Sequence, residues 1–240
     1  MNKIKIYFCC AVILLSFSGC SYKTFKKAIN HENVGDYYSA AKLYQEVINK
    51  DYNSKKSYLG ISDSLYALAL KQSGFDKYEL REWENARKAL EISIEIDDKN
   101  KDIRKNNLYN VYKILSIIYT RNNNFDAAEN YLNKIIEYKP SEASAYFNIA
   151  YIAAKKNNNE KAIDFYKKAL EYKPGYFEAN INLGMIYKKI NLLDKAEPFF
   201  TNALGKDTET FVPELNLTDI KFEFGKFDEA EEILKKINPE

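Results

Sequence analysis

One arrangement of apolar and small residues recurs along the second half of this chain. Ala128, Ala162, Ala196 and Ala230 follow one another at steps of 34 residues. Each is followed four positions later by a large side chain: Leu132, Tyr166, Phe200 and Leu234. Upstream, Leu115, Ile149, Leu183 and Leu217 keep the same step, as do their mostly small neighbours Ser116, Ala150, Gly184 and Thr218. A spacing of four puts two side chains on one face of a helix, as it does for Leu115 and Tyr119. Each period therefore predicts two helices, with the alanine at the point where they cross. A larger residue there would push the helices apart. Asp126, Asp194 and Asp228 stand three residues before Glu129, Glu197 and Glu231, the capping-box spacing, and predict the start of each second helix. Pro198 falls within such a helix, where it should remove one backbone bond and introduce a slight bend. One such unit cannot bury its apolar face alone, so the units must stack.

These residues resemble the tetratricopeptide repeat (TPR) pattern W-x2-L-G-x2-Y, then A-x3-F, then P, with its period of about 34 residues. Tyr112, Leu115, Ser116, Tyr119, Ala128, Leu132 and Pro140 follow it in one unit, and Leu183, Gly184, Tyr187, Ala196 and Phe200 in another. Pro140 and Pro174 close two units. Nearer the N-terminus the pattern loosens. Gly35-Asp36-Tyr37 with Ala40 and Tyr44, then Trp83 with Ala86 and Leu90, resemble the later part of two further units. The excess residues of that region are expected near Gln72–Arg81 and Asp97–Lys105. The resemblance implies an all-α TPR superhelix, an α-solenoid of antiparallel helix pairs with about six units, two of them irregular. The expected organisation is a leader over 1–19 and a TPR domain over 20–240, with units about 21–54, 55–106, 107–142, 143–176, 177–210 and 211–240. In the last unit Glu214 and Lys221 stand where earlier units carry aromatic residues, and Pro213 suits a helix start. That unit is expected to be the polar end cap a solenoid needs.

The first residues have a different pattern. Lys3 and Lys5 precede an apolar run over Ile6–Phe17, and Ser18-Gly19 leads into Cys20. That run is shorter than the roughly 20 apolar residues a membrane-spanning helix needs. Ser18-Gly19-Cys20 resembles a bacterial lipobox, although Phe17 stands where leucine is usual. The resemblance implies cleavage before Cys20 and lipidation, including palmitate, of that residue; the alternative is a plain secretory signal. Cys9 and Cys10 would leave with the leader, so Cys20 would be the only cysteine remaining and no internal disulfide could form. More than one acyl chain makes a stable anchor. The expected location is therefore a bacterial membrane, facing the periplasm or the cell exterior, with a helix from near Phe25 keeping the repeats close to the bilayer.

Composition removes several function classes. Without Lys3 and Lys5 the 36 basic residues fall to 34, equal to the 34 acidic ones, which gives no basic excess for nucleic acid. His31 is the single histidine and reads as a surface residue. Asp97-Asp98 reads as solvated. No glycine-rich phosphate loop and no G-x-S-x-G occurs, so no metal, cofactor or catalytic activity is expected.

The candidate chemistry lies on the first helices, on the side away from their second helices, where a TPR superhelix has its concave groove. One row at the repeat step is Lys113, Phe147, Ile181 and Leu215; the next is Ile117, Tyr151, Met185 and Asp219. Phe147 with Tyr151 and Ile181 with Met185 would form an apolar floor, and Arg121, Lys155 and Lys189 a basic row one turn on. The alternative is that the apolar residues pack between repeats and the basic ones are solvated. Asn148, Asn182 and Asn216 form a further row, although asparagine is unhelpful inside a helix. In TPR proteins that hold extended peptides, asparagines here bond the peptide backbone, which implies the same role; the alternative is that asparagine is common at this place. The arrangement that clamps a chaperone C-terminus is not reproduced. The expected function is a membrane-anchored adaptor for a protein or peptide partner, architecturally similar to the TPR lipoprotein of outer-membrane β-barrel assembly and to type IV pilotins. The other reading is a small-molecule or lipid receptor working with a transporter.

Overall fold

A computed structural model describes residues 19–50, 59–61, 63, 65, 79–96, 101–205 and 211–237. Every described element is helical, and the fold is all-α. The chain forms two compact units, residues 1–121 and 122–240.

The first unit contains α1 (Gly19–Asn33), α2 (Tyr37–Lys50), α3 (Glu79–Ile96) and α4 (Lys101–Arg121). Phe25 and Ala28 pack with Ala40, Ala41, Tyr44, Val47 and Ile48, and the Phe25 ring meets the Tyr44 ring edge-on at 5.7 Å. The Tyr44 hydroxyl donates to Glu32 at 2.6 Å, and burial, reinforced by that carboxylate, drives the phenol strongly upward from its ordinary pKa. α3 packs on α4. Trp83, Ala86 and Leu90 are buried, as the alanine register predicts, and Tyr112 and Tyr119 of α4 donate to Glu91 and Glu84 of α3, each at 2.9 Å.

Two expectations change here. The chain is already helical at Gly19, with Cys20 in the first turn of α1, rather than from near Phe25. Residues 20–24 hold no glycine or proline to interrupt a helix. Lys101–Lys105 belongs to α4 and not to a connector; its lysines and arginine favour helix, although they lack an apolar period. Asp97 and Asp98 lie outside the described residues, as do residues 1–18 of the expected leader and most of Gln72–Arg81.

The second unit runs through α5 (Phe125–Tyr138), α6 (Ala143–Lys155), α7 (Asn159–Tyr172), α8 (Phe177–Lys189), α9 (Leu193–Ala203), α10 (Val212–Glu223) and α11 (Phe227–Ile237). Each helix packs on the next. Ala128, Ala162, Ala196 and Ala230 are all fully buried, so small residues do stand at the crossings. Tyr166 and Phe200 fill the spaces four residues on, and burying such a side chain contributes about 1.5–3 kcal/mol. Where Gly184 faces Phe200, an added Cβ would lie 2.9 Å from the ring.

A turn of one design joins the helices. Asn157 and Asn191 adopt left-handed φ of 57° and 59°, and Gly225 one of 69°. The amides of Asn158, Leu192 and Lys226 then reach back to the carbonyls of Ala153, Tyr187 and Lys221 at 2.9, 2.8 and 2.8 Å. This closes the last turn of each helix and satisfies carbonyls that would otherwise be orphaned.

The start of the second helices differs from the capping-box expectation. Asn124 and Asn158 are the caps, accepting from the amides of Ala127 at 3.3 Å and Lys161 at 3.1 Å. Asp126, Asp194 and Asp228 lie inside the first turn, where a carboxylate favours the positive end of the helix. Asp126 also accepts from Lys156 at 2.6 Å, a bond that lowers its pKa. Pro198 lies inside α9, as expected.

At the head of the first helices, different residues perform one task. The Tyr146 hydroxyl donates to the Pro140 carbonyl at 3.0 Å, and Asn180 Nδ2 to the Pro174 carbonyl at 3.2 Å. The last pair is not uniformly polar. Glu231–Lys235 and Glu232–Lys236 pairs coat α11, but Phe222 and Phe227 remain about half exposed, with ring centroids 5.9 Å apart. Lys221 is not solvated: it pairs with Glu197 at 2.7 Å and with Glu229, and these bonds raise its pKa.

Candidate functional site

A cleft of about 480 Å³ opens in the second unit, between α6, the α7 start and α8. Its walls are Tyr151, Ala154 and Lys155 of α6, Asn159 and Tyr166 of α7, and Asn182, Met185, Ile186 and Lys189 of α8. Met185 is half exposed and Lys189 is exposed, which leaves the cleft open to solvent. Tyr151 is half-buried, with Lys155 Nζ lying 5.3 Å from its ring centroid.

Tyr166 forms the polar floor. Its side chain is buried, and its hydroxyl accepts from Asn182 Nδ2 at 3.1 Å. Burial pushes the phenol up to about 12, against a smaller opposing effect of the Asn182 bond. The hydroxyl therefore keeps its proton at physiological pH. That proton has no acceptor among the described residues, so it can be donated into the cleft.

The expected site residues do not all come together. Tyr151, Asn182 and Met185 line the cleft together, joined by Lys155 and Lys189 of the basic row. Asn148 and Ile181 are half-buried on α6 and α8 outside that lining, and the Asn148 amide makes no hydrogen bond among the described residues. Phe147 is used in packing: its ring stacks on Tyr176 at 4.9 Å and tilts against Tyr166 at 5.5 Å. Asn216 on α10 is engaged twice, donating to the Val212 carbonyl at 2.8 Å and accepting from Lys188 at 2.9 Å. Lys113 belongs to the first unit, on α4, exposed and 5.5 Å from the Tyr109 ring centroid. Sequence reasoning missed Tyr166 as a polar group. It occupies the large-apolar position four residues after Ala162, and the choice of tyrosine was the available signal.

Two tetratricopeptide repeat family models match, one over residues 116–177 and one over 177–205. The matches make this chain a tetratricopeptide repeat protein over residues 116–205. Among solved structures the TPR chain is similar to MamA, with 21% identity, a TM-score of 0.44 and coverage of 74% of this chain and 92% of that one. It is also similar to YrrB, described as a TPR protein with an unusual peptide-binding site, at 16% identity, a TM-score of 0.46 and coverage of 79% and 88%. No curated protein matches in sequence. Among the described residues no helix is long and apolar enough to cross a membrane, and no cluster of His, Cys, Asp and Glu could hold a metal ion.

Proposed function

We propose that this TPR protein is an interaction adaptor of the bacterial envelope, anchored through a lipid on Cys20, that holds an extended segment of a protein partner in the α6–α7–α8 cleft. TPR stacks are interaction scaffolds, and the cleft supplies what an extended segment needs. Apolar surface on Tyr151 and Met185 takes side chains, while Asn182 and the Tyr166 hydroxyl face backbone groups. The Asn182 carbonyl oxygen forms no hydrogen bond among the described residues and is open to a peptide amide.

The observation that carries the proposal is the buried Tyr166 hydroxyl with an unclaimed proton at the base of a solvent-open, part-apolar cleft. The open side favours a chain that enters and leaves over an enclosed small molecule. The test has two arms. Cys20→Ala should abolish acyl labelling and move the protein from membranes to the soluble fraction. Met185→Asp should leave fractionation intact and remove the partner from crosslinked pulldowns. Undiminished labelling of Cys20→Ala would refute the anchor; unchanged pulldown from Met185→Asp would refute the cleft.

A further inference from the structure

The cleft is lined by two lysines and no carboxylate. Lys156, Lys161 and Lys188 each have a carboxylate: Asp126 at 2.6 Å, Glu129, and Asp219 at 2.7 Å. Lys155 and Lys189, the neighbours in sequence of two of these, line the cleft and have no carboxylate partner among the described residues. The lining itself holds no acidic residue. Two cations thus rim an apolar floor whose buried Tyr166 hydroxyl has a proton to donate.

We infer that the segment held here is acidic: an Asp or Glu side chain lies between Lys155 and Lys189, an adjacent apolar side chain rests on Tyr151 and Met185, and a backbone carbonyl accepts from Tyr166. This rests on the cleft being the partner site and adds the chemistry of the partner. Met185, open to solvent, admits an apolar residue of any shape, because methionine adapts to its neighbour. Selectivity then comes from the charge, and affinity from the backbone bonds. Exposed charges are screened over about 8 Å at physiological ionic strength, so binding weakens as salt rises.

The experiment displays short random peptides to the full-length protein and to a Lys155→Glu, Lys189→Glu double variant, with folding of each checked by circular dichroism. The unaltered protein should select peptides with Asp or Glu beside Leu, Phe or Met, and the double variant should select Lys or Arg in that place. The best acidic peptide, labelled and titrated, should bind a Lys155→Met, Lys189→Met variant roughly tenfold more weakly, the effect of two exposed charge contacts. Lys156→Met should leave its affinity unchanged. Neutral or basic peptides whose binding is still lost in Met185→Asp would overturn the acidic partner and leave the cleft standing. No selected peptide, or peptides indifferent to Met185→Asp, would overturn both.

Discussion

Gly184→Ala sets two known effects against each other at one atom. A helical glycine costs about 1 kcal/mol relative to alanine, so on backbone grounds the substitution stabilises α8. The new Cβ, however, would lie 2.9 Å from Cζ of Phe200 and 3.0 Å from both Cε atoms. Phe200 is fully buried in α9, packed with Ala196, Leu183 and Tyr187, and its ring cannot swing into solvent. Overpacking of this kind costs about 1–3 kcal/mol, so the net change should be a loss near 1 kcal/mol. For a chain of this size that is about 2–4 °C in Tm. The preceding repeat gives the converse. Ala150 stands one repeat step earlier and is fully buried. Ala150→Gly should lose about 1 kcal/mol of helix propensity and about 0.8 kcal/mol of methyl burial. Opposite substitutions in one register should therefore both destabilise, read by thermal melts and urea titration followed by circular dichroism. In a Phe200→Leu background the contact is relieved, and Gly184→Ala should become neutral or stabilising, a non-additivity expected of touching residues. A higher Tm for Gly184→Ala in the unaltered background would refute the close-crossing argument.

Two further outcomes follow from local geometry. Asn157, at φ 57°, should accept Gly without loss of Tm, whereas Asn157→Val should lose about 1–2 kcal/mol or more, because left-handed backbone strains a side chain branched at Cβ. Burial holds Tyr166 at about 12 against an ordinary 10, so the fold favours the protonated phenol. Its contribution is whole below pH 10 and is lost as the pH rises toward 12; Tyr166→Phe should flatten that part of the alkaline fall in Tm, with phenolate absorbance marking the titration.

The repeat was legible because close crossings leave a steric mark at a fixed interval. Ala128, Ala162, Ala196 and Ala230 are small for a reason that lies between two helices adjacent in sequence. Features that depend on a second element were hidden. Asn124 caps the helix whose start the capping-box spacing puts at Asp126, because the same residue types serve as caps and as first-turn charges, and only backbone geometry separates the roles. The asparagine row looked uniform in sequence. Asn182 turned out to be bound by Tyr166 and Asn216 by Lys188, while Asn148 remained open. Phe147 could be assigned to a groove or to packing by its spacing alone; the Tyr176 ring, on the following connector, decides where it points. The cleft lysines were visible as a row, but their lack of acidic partners depends on where Asp126, Glu129 and Asp219 reach.

A partner seated in the cleft between α6 and α8 would lie against Met185 in the cell. A photo-crosslinking amino acid placed at Met185 tests it most directly, with the same group at Lys168, exposed on α7 and outside the cleft lining, as the comparison. Met185 should give one dominant adduct, lost when Tyr151→Asp is added, and Lys168 should give none. No adduct from Met185, or the same adduct from both positions, would contradict it.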